Sequence, residues 1–124
     1  MLFCLLLHLF WYNPGIMKRK TIRNHKDFLT TPDDPSVANF FFVIKMKDAV
    51  KKDARYGVIA SKRVFKLATQ RNRAKRLLRD WVAFNENLML PTKDYIFIAR
   101  SGIFSCERDI GRSKMAHLLK KLSK

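Results

Sequence analysis

Between Ala38 and Lys47 the chain alternates with a period of two, placing Phe40, Phe42, Ile44 and Met46 on one side and Phe41, Val43, Lys45 and Lys47 on the other. This predicts a strand whose first set is core and whose second set is half apolar, half cationic. Ala54 to Ser61, with Tyr56, Val58 and Ile59, reads as a second strand. Tyr95 to Ala99 is apolar throughout, as expected of a strand buried on both faces, and Ser101-Gly102 ends it. After the loop Lys62 to Leu67 the period changes to that of a helix. At about 100° per residue, Ala74, Leu77, Leu78, Trp81 and Phe84 gather on one face, and Arg71, Asn72, Lys75, Arg76 and Arg79 on the opposite one. Asn85 to Asn87 fray that helix and Pro91 confirms its stop. A last helix is expected from Cys106 to Leu122, capped by Ser105, with Glu107 and Asp109 at its positive end and Lys120 and Lys121 at its negative end. Upstream, Asn24 to Leu29 suits a short helix with Phe28 as its core contact. Thr30 to Ser36, with Pro32 and Pro35, is a loop, and Asp48 to Asp53 a charged turn. Strand, helix, strand from Ala54 to Arg100 forms a βαβ unit.

Charge adds a boundary to this picture. The segment 1–16 contains no Lys, Arg, Asp or Glu, so the whole net charge of +16 falls on the residues after it. Its apolar run lacks a basic leader and is well short of the roughly 20 residues a spanning helix needs. Asn13, Pro14 and Gly15 break the chain, and Met17 opens a basic stretch. The expectation is an apolar extension at 1–16, upstream of an initiator at Met17 and outside the native protein, followed by a single domain at 17–124. With 48% hydrophobic residues the chain is not a disordered basic tail, and its charge makes a polyanion the natural partner.

Candidate chemistry is narrow. Cys4 and Cys106 are too few for a disulfide framework or a Cys-based zinc site, and fit a reduced, cytoplasmic setting. His8, His25 and His117 share no metal-ligand spacing, so no metal site is assigned to the protein. Asp33, Asp34, Asp53, Asp80 and Asp94 are scattered, the last three beside basic residues, which suits solvated or ion-paired roles. No glycine cluster forms a phosphate loop. The protein alone is not expected to be catalytic. In contrast, Arg71, Asn72, Arg73, Lys75, Arg76 and Arg79 follow one another with no acid until Asp80. Such a stripe repels itself unless anions neutralise it, and arginine's planar fork suits phosphate contact and base stacking.

The string from Arg71 through Asn72-Arg73-Ala74-Lys75-Arg76-Leu77-Leu78 to Arg79 resembles the RNR motif of the bacterial ribonuclease P protein subunit. Arg55-Tyr56-Gly57-Val58 through Ser61-Lys62-Arg63 is similar to that family's strand and loop before the motif, Asp94 to Arg100 to its last strand, and Lys26-Asp27-Phe28 to its first helix. The likeness runs from Met17 to about Lys121. It implies an α+β fold like domain 2 of ribosomal protein S5: a small mixed sheet with a βαβ crossover, packed by a short N-terminal helix, the RNR helix and a C-terminal helix. It also implies a left-handed crossover, although about 98% of such crossovers are right-handed. Functionally it implies a catalytic RNA subunit that cleaves phosphodiesters with Mg2+, no cofactor on the protein alone, no membrane, and removal of the 5′ leader from precursor tRNA. By the same resemblance Arg71, Asn72, Arg73, Lys75, Arg76 and Arg79 face the catalytic RNA, with Arg79 also reaching towards the leader. Lys62 and Arg63 add RNA contacts before the helix, and Phe28, Phe41, Val43 and Lys45 form the leader cleft. A cationic, aromatic-bearing sheet face is physically suited to single strands. The pattern alone leaves Phe28 and Phe41 open to a second reading, as plain core residues. Leu29-Thr30-Thr31-Pro32 departs from the family by ending the first helix early, so part of the stacking platform is missing or supplied by another phenylalanine. The alternatives are a basic ribosomal or other structural RNA-binding protein, and a membrane-attached cationic protein.

Overall fold

The computed structural model describes residues 19–49 and 54–123; the expectations for the segment 1–16, the start at Met17 and Asp53 lie outside them. Its centre is the long pairing that the apolar runs provide. β3 (Phe42–Asp48) and β5 (Lys93–Ala99) are antiparallel from Phe42↔Ala99 to Asp48↔Lys93. β4 (Arg55–Ile59) lies parallel to β5 on its other side. Two short strands form the edges: β1 (Lys20–Thr21) runs parallel to β4, and β2 (Ser36–Ala38) antiparallel to β3, giving the order β1-β4-β5-β3-β2. Helix α1 (Ala68–Phe84) connects β4 to β5, so the expected βαβ unit is present, and α2 (Arg108–Leu122) follows β5. The fold is mixed α+β.

The alternation along β3 sorts the sheet into two faces. Phe42, Ile44 and Met46 are buried with Tyr56, Tyr95, Phe97 and Ala99 against Ala74, Leu78, Trp81 and Val82 of α1 and Met115, Leu118 and Leu119 of α2. Phe41, Val43, Lys45 and Lys47 are only half-buried. In α1 burial deepens towards the C-terminal end, where Trp81, Val82 and Ala83 are all buried, while Leu77 is half-buried and Phe84 exposed despite their place in the apolar set.

Four expectations are corrected. The strand from Ala38 to Lys47 is two strands, because the Asn39 side chain intervenes: its Oδ1 accepts from the Phe41 and Phe42 amides at 2.8 and 2.9 Å, and the backbone N–H of Asn39 donates to Phe42 O at 3.0 Å. This side-chain-nucleated turn outweighs the β-propensity of the phenylalanines. Phe40 therefore leaves the core register and is 66% exposed. The first helix is a 3-10 turn, His25–Phe28, without a side-chain cap from Asn24, and Phe28 is half-buried on the face of the sheet opposite the helices. Residues Lys20–Thr21, read as part of a basic arm, join the sheet. Ser105 does not cap the last helix. It ends a 3-10 turn, Ser101–Ser105, donating to Gly102 O, and Glu107 stands at the helix start.

Three contacts lock the helices together. A Cβ on Gly111 would overlap the Trp81 indole, so α2 approaches α1 at the one residue that offers no side chain. Beside it, Asp80 accepts from Arg108 Nε and Nη2 at 3.2 and 3.0 Å and from Arg112 Nη2 at 3.4 Å. Partial burial pushes the Asp80 carboxyl up, but the hydrogen bonds and charges of Arg108 and Arg112 outweigh it and hold the group below its ordinary value. Asn85 completes the joint, its Nδ2 donating to Trp81 O and Arg112 O at 3.0 Å each.

Gly111→Ala gains about 1 kcal/mol of helix propensity, yet overpacking against a buried ring costs about 1–3 kcal/mol. Since the indole is fixed in the core, the variant is expected to melt below the wild type in a thermal scan followed by circular dichroism. For Asp80, a depressed folded value means stability that is present above the unfolded carboxylate range and lost as pH falls through the folded value. Asp80→Asn should lower the denaturation midpoint at pH 7 and make stability less sensitive to acid than in the wild type; parallel urea titrations across the acid range check this.

Candidate nucleic-acid interface

Two surfaces carry the cations and aromatics singled out in the sequence. On α1, Asn72, Arg73, Arg76 and Arg79 are exposed and Arg71 and Lys75 half-buried, with Lys62 and Arg63 exposed in the preceding loop. The helix turns this face outward because Ala74, Leu78 and Trp81 face the sheet. Two of the arginines are held in place by the protein. Arg71 Nη1 donates to Phe65 O and Lys66 O at 2.9 and 3.1 Å, bracing the loop that enters the helix. The Arg73 guanidinium lies 5.0 Å from the centre of the Phe104 ring, which meets Phe65 edge-on. The stripe is thus partly preorganised, with less rotamer freedom left to lose than free arginines have.

The second surface is the sheet face opposite the helices. Register places Val43 beside Ile98 and Ile98 beside Ile59, forming an apolar floor across β3, β5 and β4. All three are half-buried. In the adjoining row Lys45 pairs with Ile96 and Ile96 with Gly57, and Phe28 lies on Gly57 so closely that a Cβ there would overlap its ring. Phe28 thereby forms one side of a shallow trough whose floor is Val43, Ile98 and Ile59. Phe41 stands at the far end, half-buried against the edge of the core, with its carbonyl accepting from the Arg100 amide. Phe28, Val43 and Lys45 of the sequence-derived set share this face, and Phe41 is set towards it by the register that Arg100 continues while also touching the helix-side core. Ile59 and Ile98 were missed: the uniformly apolar run of β5 conceals which of its residues face the trough, and only the pairing with Val43 reveals it.

The lysines here are tied to the segment above them. Lys45 Nζ donates to Thr30 Oγ1 at 3.3 Å, and Lys47 Nζ to the carbonyls of Asp27 and Leu29. The 3-10 turn is anchored further by Asp27, whose Oδ2 accepts from Arg55 Nη1 at 2.8 Å, while the buried Asp94 accepts from the Arg55 amide at 2.6 Å. The Asp27 hydrogen bond holds the Arg55 guanidinium above its ordinary value against the opposing effect of burial, helped by the charges of Asp27 and Asp94. Of the aspartates read as paired or solvated, Asp80 and Asp94 are paired, and Asp34 accepts from the Thr31 amide. Among the described residues no group of three or more His, Cys, Asp or Glu could hold a metal ion, and no helix is long and apolar enough to cross a membrane.

Comparison with known proteins gives a consistent picture. The family model described as Ribonuclease P matches residues 16–123. The ribonuclease P protein component of Bacillus velezensis is 33% identical over 108 residues, covering 86% of this chain and 91% of that one. The component from Caulobacter vibrioides is 35% identical over 92 residues, covering 72% of this chain and 61% of its own length. Among solved structures, the RNase P protein of Staphylococcus aureus superposes with a TM-score of 0.68 at 29% identity, over 84% of this chain and 95% of the other. That of Thermotoga maritima gives 0.69 at 27% identity, over 83% and 97%. A family match across both surfaces, on a backbone these structures share, shows that this chain belongs to the ribonuclease P protein family.

Proposed function

We propose that this chain is the protein subunit of a ribonuclease P holoenzyme, an endoribonuclease whose RNA subunit cuts the 5′ leader from precursor tRNA in the cytoplasm. The observation that carries the reading is the division of one small fold into two cationic surfaces: an arginine stripe on α1 and an aromatic trough on the open sheet face. The stripe presents Asn72, Arg73, Lys75, Arg76 and Arg79, with Arg71 bracing its base and Lys62 and Arg63 extending it, to the phosphates of the catalytic RNA. The trough takes the single-stranded leader, with Phe28 and Phe41 offering rings for bases and Lys45 charge for phosphates. Such contacts are indifferent to sequence, as a subunit that meets many leaders requires. The protein positions substrate, and Mg2+ bound by the RNA supplies the chemistry of bond cleavage.

Reconstitution with a bacterial ribonuclease P RNA tests this. At low magnesium the protein should raise precursor-tRNA cleavage well above that of the RNA alone, and should cut nothing by itself; metal-dependent cleavage by RNA-free protein would overturn the assignment. The stripe has its own test. Arg76→Ala and Arg79→Ala remove exposed side chains and leave the braces at Arg71 and Arg73 intact. Each lost phosphate contact should weaken RNA-subunit binding and reduce the slope of log affinity against log salt by about one unit. Filter binding across a salt series reads both quantities, and an unaltered slope would mark the stripe as merely solvated.

A further inference from the structure

We propose that Phe40 is an additional nucleotide-stacking residue, prolonging the trough beyond Phe41 so that it takes one more base of the single-stranded leader. The inference rests on the reading of the open sheet face as the leader's path. Phe40 is 66% exposed, more than any other exposed large aromatic side chain among the described residues. Isolated exposed apolar residues are ordinary, so exposure alone decides nothing. Three further features give this one a direction.

The ring is seated. It lies against Gly102, where a Cβ would overlap three of its atoms, so the 3-10 turn after β5 makes room for it with a residue that has no side chain. It also meets Phe41 edge-on, with centroids 5.6 Å apart and planes at 83°. A preplaced ring loses little rotamer freedom when a base stacks on it. Next, the ring adjoins Phe41, whose carbonyl accepts from the Arg100 amide at 3.0 Å; this continues the β3–β5 register beyond Phe42↔Ala99 and by alternation sets Phe41 on the side of Val43. Finally, a cation accompanies it. The exposed Arg100 guanidinium donates through Nη1 to Asn39 O at 2.9 Å, the carbonyl preceding Phe40. A guanidinium has five N–H donors, so this one retains several for a phosphate beside the stacked base. An aromatic ring with an adjacent cation is the chemistry that recognises a nucleotide of single-stranded RNA irrespective of its base.

The test uses the full chain reconstituted with ribonuclease P RNA and compares Phe40→Ala, Phe40→Leu and Phe40→Trp. Precursor tRNA, mature tRNA and the RNA subunit are the three binding partners, and a melting curve is recorded for each variant. Leucine keeps the apolar contact with Gly102 but offers no ring. The expected result is a loss of roughly tenfold in affinity for precursor tRNA with Ala and with Leu, retention with Trp, and no change for mature tRNA or the RNA subunit. Unchanged precursor binding by Phe40→Ala would overturn the proposal, as would Leu binding as well as Trp, or a loss that falls on the RNA subunit instead. A wild-type holoenzyme that binds precursor and mature tRNA alike would overturn the leader path itself and Phe40 with it. Discrimination by the wild type that survives undiminished in Phe40→Ala would overturn Phe40 alone.

Discussion

The geometry of the trough depends on one buried carboxylate. Asp94, fully excluded from solvent, accepts from the Arg55 amide and lies 3.5 Å from Arg55 Nη2, and the same guanidinium turns its other nitrogen to Asp27. An ion in that position costs several kcal/mol to desolvate, which hydrogen bonds and opposite charge must offset. Arg55 supplies both, at the start of β4, and shares its charge with the turn that carries Phe28. Three segments distant in sequence are joined through one side chain. Arg19 adds a second tie, donating to Lys93 O and Leu90 O at 2.6 and 2.7 Å, and the Ile22 amide a third, to Tyr56 O at 2.7 Å. The N-terminal strand, turn and sheet therefore move as one piece. Phe28 is thereby held over Gly57 by contacts on both sides of its turn.

The way the acids are spent explains the field outside. Asp27, Asp48, Asp80 and Asp94 pair with Arg55, Lys93, Arg108 and Arg112. These pairs join sheet to turn, strand to strand and helix to helix, and none is formed with the arginines of the stripe. Among the described residues the stripe is thus left unneutralised by the protein's own acids, within a chain of net charge +16.

The sequence pattern was most readable where a single periodicity governs. The two faces of β3 followed from alternate positions because every other residue from Phe42 to Lys47 meets the same environment. The arginine stripe on α1 was equally plain, since apolar residues at helical spacing leave only one direction for the cations. The break at Asn39 was hidden, because Phe40, Phe41 and Phe42 look alike as residue types and only a side-chain hydrogen bond distinguishes them. Arg71 and Arg73 were seen as ligands for phosphate, but their internal partners, Phe65 O and the Phe104 ring, come from a loop before the helix and a turn after β5. Gly57 gave no local sign of its task, as the ring that needs its missing side chain belongs to Phe28, far back in the chain. What escaped was in each case a specific side-chain contact, from the local Asn39 turn to the distant Phe28 ring on Gly57, that residue type and periodicity do not encode.

The margins of the sheet have a consequence of their own. Both outer strands are brief, Lys20–Thr21 on one side and Ser36–Ala38 on the other. A strand this short offers few unpaired main-chain donors and acceptors, and so gives a second chain little to zip onto. The long apolar strands that would aggregate if left at a border, β3 and β5, are each flanked by partners. Separate copies are thereby given little main chain to pair through, and their like charge adds mutual repulsion.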